Sequence, residues 1–298
     1  MKTDKNAAVC LSFFQCADFS LPRLHLHATI QSLLAQGLNV VVTQAVLPGQ
    51  TPQPMPAAVT QAVYLTRSKL FHKERLWNLA AGLTDADRLI FLDADVLFTT
   101  GDWYGQTLAE LDRCDVVQPF TDCVWLDQDG RHEMRKQAAA VALRNEAAPK
   151  FTHYHPGFGW AFTRQSYNAL GGFLDTSVAG NSDALFTLAL RDNCKHRTLE
   201  AWYATKQDPS VLTDSYKAYR RNASSLGLRF GYCQGVTVVH LWHGERKNRQ
   251  YVSRGRLFPR LPNGEYAVHD TPAGLQEWND ESVNESTRVY FEGKKDDG

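Results

Sequence analysis

Two aspartates follow a strongly apolar run. Residues 89–92 read Leu-Ile-Phe-Leu, and Asp93 and Asp95 come directly after them. Residues two apart in a regular strand point to the same face, and ligands of open α/β sheets bind at the carboxyl ends of the strands. Carboxylate oxygens are hard ligands that suit Mg²⁺ or Mn²⁺, and such an ion can bridge two phosphates. The pair therefore predicts a divalent-cation site at the end of a strand.

The Asp-x-Asp pair alone leaves other interpretations open. It can mark a polar exit from a strand into a loop, although carboxylates beside so apolar a run need a partner or solvent. Phosphatases of the HAD type also place Asp-x-Asp after a strand, but usually after the first strand of the domain. Here the patterns of three strand–helix units precede Asp93, which argues against the phosphatase interpretation.

Three further segments carry side chains with chemical uses. Residues 71–80 (Phe-His-Lys-Glu-Arg-Leu-Trp-Asn-Leu-Ala) begin a helical pattern just before the acidic strand. Residues 155–164 are rich in glycine and aromatic residues, and a Gly-Gly-Phe and a Gly-Asn-Ser-Asp sequence follow them. Residues 238–248 contain His240 and His243, followed by two basic residues and an asparagine.

Taken in order, these four segments resemble the catalytic domain of the β-1,4-galactosyltransferase family and related GT-A glycosyltransferases. That family has Phe-x-Arg/Lys and an Asn before its metal strand, an Asp-x-Asp-like motif at the strand's end, a Gly-rich segment with Gly-Gly-Glu-Asp, and a late His followed by basic residues. The order and rough spacing match from about residue 65 to 260. The resemblance implies a GT-A fold and transfer of a hexose or N-acetylhexosamine from a UDP-sugar.

The resemblance also implies roles for the residues that bind the donor. Phe71 would flank the uracil, and Lys73 would contact the nucleotide. Asn78 would brace the nucleotide pocket, and Lys247 would meet a phosphate.

Metal ligands follow from the same resemblance. Asp95 would bind the cation directly, and Asp93 would meet the ribose or the water shell of the metal. His243 would be the distal ligand, and imidazole is a good ligand for Mn²⁺. His240 competes for this role, because period 2 sends His240 and His243 to opposite faces of a strand unless the chain turns between them. A histidine that is merely packed or exposed is the alternative interpretation of His243.

Asp183 is the candidate general base. In the family a Glu-Asp pair supplies the base that deprotonates the acceptor hydroxyl, whereas the matching positions here read Asn181-Ser182-Asp183, with one acid shifted by about one position. The alternative is a charge that only stabilises a helix, because residues 184–190 have a helical pattern and the helix dipole favours an acid in the first turn.

The elements that must position these residues alternate along the first hundred positions. We predict strands at residues 7–14, 38–46, 62–66 and 88–98, and helices at residues 22–35 and 70–83. This order predicts an α/β fold with a Rossmann-like, mostly parallel central sheet and helices on both faces.

We expect a catalytic domain over residues 1–260 and an acidic, partly disordered extension over residues 261–298. Within the catalytic domain, residues 1–100 would form the nucleotide-binding half and residues 101–260 the acceptor-binding half.

Charge is distributed unevenly, although the 298-residue chain is neutral overall. The segment from Lys217 to Arg260 contains ten basic residues and one acidic residue, whereas residues 261–298 contain nine acidic and three basic residues. The basic segment exceeds what one diphosphate requires and can track a polyanion. In this respect the chain resembles phage-encoded transferases that glycosylate 5-hydroxymethylated pyrimidines in DNA. We therefore predict DNA contacts by four arginines of this segment: Arg220, Arg221, Arg254 and Arg256.

Three alternative interpretations remain open at this point. A glycan acceptor, as in bacterial polysaccharide synthesis, is the alternative to DNA, and the acidic extension can instead neutralise the basic segment. A non-catalytic protein that binds nucleotide sugars is the interpretation from a different class.

The composition predicts a cytoplasmic protein of microbial or viral origin, with no membrane partner. No apolar run approaches the roughly 20 residues needed to span a membrane. The six cysteines show no C-x-x-C spacing, and the first residues lack the pattern of a signal peptide.

Overall fold

The computed structural model describes residues 6–99, 101–147, 149–190, 203, 204, 206, 209–251 and 254–298. The strands in this part of the chain are β1 (Ala7–Phe14), β2 (Val40–Val46), β3 (Thr60–Leu65), β4 (Arg88–Leu92), β5 (Val96–Phe98), β6 (Val116–Gln118), β7 (Asp122–Leu126), β8 (His132–Ala138), β9 (Tyr154–His155), β10 (Gly159–Thr163), β11 (Phe230–Tyr232), β12 (Thr237–His240), β13 (Val268–Asp270) and β14 (Gln276–Trp278). The α-helices are α1 (Leu21–Ala35), α2 (Lys73–Ala81), α3 (Trp103–Leu111), α4 (Ala139–Arg144), α5 (Arg164–Leu170), α6 (Ser182–Ala189), α7 (Asp214–Ser225) and α8 (Val283–Gly293).

A seven-stranded sheet forms the centre of the molecule, with the strand order β11-β6-β10-β4-β1-β2-β3. Strands β1, β2, β3 and β4 run parallel to one another. Strand β10 is antiparallel to both of its neighbours, and β11 is parallel to β6. Six strands thus run in one direction, and β10 alone among these seven runs in the other.

Helices cover both faces of this sheet. Val9 and Leu11 of β1 pack in one apolar cluster with Ile30 of α1. Ala8 of β1 belongs to a second cluster, together with Trp77 of α2. Odd and even residues of a strand point to opposite faces, so α1 and α2 lie on opposite sides of β1. The predicted α/β class, with a mostly parallel central sheet and helices on both faces, is confirmed.

The acidic strand is shorter than the sequence predicts. The apolar run predicts one strand over residues 88–98, but β4 ends at Leu92 in the central sheet and β5 begins at Val96 in a five-stranded sheet of order β5-β12-β7-β8-β9. Strand β4 pairs with β1 and β10, whereas β5 pairs with β12, so the chain passes from one sheet to the other between them. Asp93 and Asp95 therefore lie on the link between two sheets.

The acidic extension is built into the fold. Strands β13 and β14 pair with each other, and Tyr290 and Phe291 of α8 are buried against Leu70 and Phe258. At the end of the chain, Asp297 accepts hydrogen bonds from the backbone of Ser20 and Leu21. Buried aromatic side chains and this capping contact join the segment to the rest of the fold. The division of the chain at residue 260 and the partial disorder of the extension stay predictions.

Among the described residues, no helix combines the length and the apolar character of a membrane span. The five cysteines in this part of the chain are free and buried. Cys194 lies outside the described residues.

Candidate active site

A cavity of about 420 Å³ lies at the carboxyl ends of β1 and β4, and this volume is in the range of small-molecule sites. Because β1 and β4 are parallel neighbours, their carboxyl ends meet at one edge of the sheet. The first turn of α2 and the chain after β12 complete the walls. Six of the site residues predicted from the sequence line the cavity, namely Phe71, Lys73, Asp93, Asp95, Asp183 and His243.

Three possible metal ligands converge in this cavity: Asp95, His240 and His243. The Nε2 atom of His243 lies 2.8 Å from Oδ2 of Asp95, and Nε2 of His240 lies 3.4 Å from the same oxygen. A carboxylate and two imidazoles form a donor set that suits Mn²⁺ and related divalent ions. The structure therefore brings the predicted ligands Asp95 and His243 together and adds His240 to them.

The backbone explains why both histidines reach Asp95. Strand β12 pairs antiparallel with β5 so that His240 lies opposite Val96, the residue after Asp95. The N–H of Leu241 then donates to the carbonyl of Asp95 at 2.9 Å. The strand ends at His240, and the chain bends at Gly244, which has a φ of 81°. The period-2 expectation that the two histidines point apart fails because His243 lies beyond the end of the strand.

The protonation states of these residues suit a metal. Burial opposes the charge on Asp95, but the imidazoles of His240 and His243 outweigh this effect and hold the pKa of the carboxyl well below its usual range. Burial lowers the pKa of His240 to about 4, although Asp95 acts in the opposite direction. At neutral pH the carboxylate is therefore charged and the His240 ring is neutral, as metal binding requires.

The contacts of His243 test whether these residues fit a cation. Its Nδ1 lies 3.3 Å from Oδ1 of Asp296. An ionised carboxylate can only accept a hydrogen bond, so Nδ1 donates to Asp296 and Nε2 is the nitrogen that faces Asp95. Nε2 lies 2.8 Å from Oδ2 of Asp95 and has no hydrogen-bond partner. A divalent cation held by Nε2 and Oδ2 would give both atoms a partner, so the cluster fits a divalent metal.

Asp93 lies in the same cavity but has a different partner. Its Oδ1 is 3.2 Å from Nζ of Lys73, and the same Nζ is 3.5 Å from Oε1 of Glu74. Burial works against the charge on Lys73, yet Asp93 and Glu74 raise its pKa overall. Burial raises the pKa of Glu74 to about 7, and it also raises the pKa of Asp93. Lys73 is thus the counter-ion of two acids, and its contact with a nucleotide stays a prediction, as does the contact of Asp93 with a metal or ribose.

Asp183 lies in the first turn of α6 and lines the cavity. Its Oδ1 accepts a hydrogen bond from the N–H of Ala184 at 2.8 Å. Its Oδ2 lies over Gly157, because a Cβ at that position would come within 2.6 Å of this oxygen. One oxygen therefore contacts the helix backbone while the other lies at the cavity wall, and both interpretations of Asp183 have a structural basis.

Arginines line the cavity close to the metal cluster. Arg246 and Arg249 belong to a 3₁₀ helix, in which residues three apart lie on the same face. Nη2 of Arg249 donates to the backbone oxygen of His243 at 2.8 Å. Lys247, the predicted phosphate contact, is exposed and does not line the cavity, because the same geometry turns it away. Arg246 and Arg249 line the cavity instead, and the contact of Lys247 with a phosphate stays a prediction.

Arg254 also lies in the cavity wall, between two aromatic rings. Its guanidinium carbon is 5.0 Å from the ring centre of Phe71 and 5.0 Å from that of Tyr251. Its Nη2 donates to Oδ1 of Asn181 at 2.6 Å. The residue is only 8% exposed. Phe71, the residue predicted to flank the uracil, therefore lies in the cavity with the guanidinium of Arg254 against its ring.

The four arginines predicted to contact DNA differ in burial and in their relation to the cavity. Arg254 is buried and held by Asn181, so it does not extend towards the phosphates of an external polymer, and that part of the prediction is wrong. Arg220 and Arg221 belong to α7 and do not line the cavity. Arg256 is exposed and also lies outside the cavity lining.

Asn78 lies outside the cavity lining, where its amide joins α2 to the chain after α5. Its Oδ1 accepts from the hydroxyl of Tyr167 at 2.6 Å and from the N–H of Phe173 at 2.8 Å. Its Nδ2 donates to the carbonyl of Phe173 at 3.0 Å and to Asp175 at 3.1 Å. The amide is therefore saturated by structural partners, and its bracing of a nucleotide pocket stays a prediction.

Phe158 connects the two ends of the site. Its carbonyl accepts from the N–H of Asp93 at 3.0 Å, and its ring stacks on His240 with centroids 5.1 Å apart. Its φ of 72° is rare for a bulky side chain. Such backbone strain persists only where the surroundings impose it, and it is frequent at functional sites.

Sequence reasoning missed three residues of the site: Glu74, Tyr251 and Asp296. Glu74 adjoins Lys73, and a charged residue on the buried face of an amphipathic helix is a signal that the pattern already contains. Asp296 carried no signal, because its role depends on where the end of the chain lies.

Comparisons with known proteins leave the family unassigned. No family model and no curated protein matches the chain. Among solved structures, S. aureus TarS has 16% sequence identity and a TM-score of 0.39, with 63% of this chain and 54% of the TarS chain covered. The mannosyltransferase PcManGT from Pyrobaculum calidifontis, in complex with GDP-Man and Mn²⁺, has 14% identity and a TM-score of 0.44, with 96% of this chain and 69% of that chain covered. Likenesses at this level do not assign a function to this chain.

We predict that Asn78→Ala lowers the free energy of unfolding by about 2–4 kcal/mol, because it leaves buried hydrogen-bonding groups without partners. Nucleotide affinity of the folded protein should not change. Urea denaturation and nucleotide titration check the two parts, with Asn263→Ala in an exposed turn as the control. Lost nucleotide affinity at unchanged stability would return Asn78 to the nucleotide pocket.

We predict that His240→Ala and His243→Ala both weaken Mn²⁺ binding. The loss should exceed the roughly 10–100-fold that follows when a residue that merely orients a ligand is removed. His269→Ala, on the exposed part of β13, is the matched control. Titration of Mn²⁺ into each folded variant decides the matter, and unchanged Mn²⁺ affinity in His240→Ala would limit that residue to a structural role.

Proposed function

We propose that this chain is a metal-dependent glycosyltransferase that moves a sugar from a nucleoside diphosphate sugar to an acceptor hydroxyl. The observation that carries the proposal is the set of side chains that line one cavity. The Asp95–His240–His243 cluster, the arginines Arg246 and Arg249, and the carboxylate of Asp183 all line it. Metal ligands, cations and a separate acid are the groups that this chemistry requires.

When bound by the cluster, a divalent cation supplies positive charge to the diphosphate and so makes it a better leaving group. Arg246 and Arg249 add fixed positive charge beside the cluster. The aromatic face of Phe71 offers a surface on which a nucleobase can stack. The UDP donor implied by the sequence is part of this proposal.

Asp183 is the proposed base. The acceptor hydroxyl gives its proton to Asp183 as its oxygen bonds to the anomeric carbon of the sugar. The bond from that carbon to the diphosphate oxygen breaks, and its electron pair leaves with the nucleoside diphosphate. A positioned base of this kind contributes about 10²–10⁴ to the rate.

For the acceptor we propose a glycan hydroxyl in preference to DNA. Arg254 is buried in the cavity wall, and Arg249 is bonded to the backbone of His243. Arg229 and Lys217 of the basic segment pair with Asp115 and Asp214. Much of the positive charge that suggested a polyanion therefore has partners within the protein, and the remaining charge does not require a DNA backbone.

The direct test is release of nucleoside diphosphate from a panel of nucleotide sugars with Mn²⁺. Glycans, hydroxymethylated DNA and plain DNA are offered as acceptors side by side. We predict acceptor-dependent release that Asp95→Ala and EDTA both abolish, because Asp95 supplies the one carboxylate of the cluster. Full turnover with EDTA would contradict the metal, and transfer to DNA alone would replace the glycan with DNA.

We predict that Asp183→Asn lowers kcat by about 10²–10⁴ and leaves donor affinity unchanged, since the amide cannot take the proton. Asp214→Asn is the matched control, because Asp214 is also an acid in the first turn of a helix but is exposed and pairs with Lys217. Equal small effects in the two variants would mean that Asp183 only stabilises its helix.

A further inference from the structure

The last residues of the chain lie against the metal cluster. Asp296 is only 4% exposed, and its Oδ1 is 3.3 Å from Nδ1 of His243. Its other oxygen, Oδ2, is 2.8 Å from Nζ of Lys294. A buried carboxylate is costly unless it has partners, and these two contacts supply them. The residue thus contacts a proposed metal ligand from the side opposite to the ligand's metal-facing nitrogen.

The position of this segment is fixed on both sides of Asp296. Before it, Phe291 of α8 is buried in an apolar cluster. After it, Asp297 accepts from the N–H groups of Ser20 and Leu21, at 2.8 and 2.7 Å, at the start of α1. Gly244 provides further constraint, because a Cβ there would lie 2.3 Å from the carbonyl oxygen of Lys295. The turn after His243 and the end of the chain therefore fit closely together.

The chemistry of imidazole explains what this contact does. Each neutral ring has one N–H and one lone pair, and the hydrogen bond made by one nitrogen decides which nitrogen is free to bind a metal. An acceptor at Nδ1 of His243 places the lone pair on Nε2, which faces Oδ2 of Asp95 at 2.8 Å. A carboxylate in this place also fixes the orientation of the ring and makes it a stronger ligand.

We propose that Asp296 is a positioning residue of the metal site, and that the C-terminal segment is therefore a structural part of that site. The carboxylate holds His243 in the tautomer and orientation that bind the cation. The inference rests on the proposed function, because it requires that Asp95, His240 and His243 bind a metal.

The neighbouring aspartate separates this role from simple packing of the segment. Asp297 is also an aspartate, one position later, but it is exposed. The hydrogen bonds that the structure gives it all go to Ser20 and Leu21, at the start of α1. Loss of Asp297 removes a fixing point and leaves the contact between Asp296 and His243 intact. Loss of Asp296 removes the contact and leaves the fixing points intact.

The experiment measures Mn²⁺ affinity by titration of the free-ion EPR signal, without donor or acceptor. Asp296→Ala should raise the Kd by roughly 10–100-fold, the usual effect of removing a residue that orients a ligand. Asp296→Asn should lose less, because its amide oxygen can still accept from Nδ1. Asp297→Ala should keep the wild-type Kd, and thermal unfolding confirms that each variant is folded.

His243→Ala, measured in parallel, separates the two levels of the proposal. If it leaves Mn²⁺ binding unchanged, the metal site itself is wrong. If His243→Ala weakens binding but Asp296→Ala does not, only the role of Asp296 is overturned. Equal losses in Asp296→Ala and Asp297→Ala would also overturn it, because attachment of the segment would then be what matters.

Discussion

The convergence of three side chains from distant parts of the chain is the constraint on which the site depends. Oδ2 of Asp95 lies within 3.4 Å of Nε2 of His240 and 2.8 Å of Nε2 of His243. The link between β4 and β5 places Asp95, and the pairing of β5 with β12 places His240. His243 lies beyond the end of β12. The free energy of folding thus keeps the three candidate ligands together.

The charges of the cavity are arranged in balanced groups. Lys73 pairs with Asp93 and Glu74, which keeps two acids from adding to the negative charge near Asp95. On another part of the wall Arg246, Arg249 and Arg254 supply positive charge. A diphosphate carries negative charge that can be shared between such arginines and a metal, and preorganised charges of this kind require little rearrangement during reaction. Under the proposed function, this separation of roles gives the cavity a place for a leaving group and, at Asp183, a place for a base.

Local sequence patterns were sufficient for most elements of the first hundred residues and for part of the site. The run of residues 7–14 predicts β1 correctly, because a fully buried strand is apolar throughout. Asp93, Asp95 and His243 stand out because acids after an apolar strand and a histidine before basic residues are visible within a few positions. Lys247 shows the limit of this reasoning. Its charge is visible in the sequence, but the 3₁₀ turn that exposes it is not.

Features that depend on distant contacts were beyond the sequence. The split between β4 and β5 arises from pairing with β12, which is about 140 residues away, so the apolar run alone predicts one strand. His240 joins Asp95 through the same pairing. Asn78 carries a polar side chain at a motif position, yet its four hydrogen bonds to residues 167–175 give it a structural role. Asp296 belongs to a polar end that resembles a disordered tail until its contacts with His243 and Lys294 are known.

Anomalous scattering from crystals grown with Mn²⁺ and a nucleoside diphosphate tests the central claim most directly. The account predicts one strong manganese peak at coordination distance from Oδ2 of Asp95 and from Nε2 of both His240 and His243, with diphosphate oxygens completing the coordination shell. A peak beside Asp93 and Glu74 instead, or no peak in a crystal where the nucleotide is clearly bound, would contradict it.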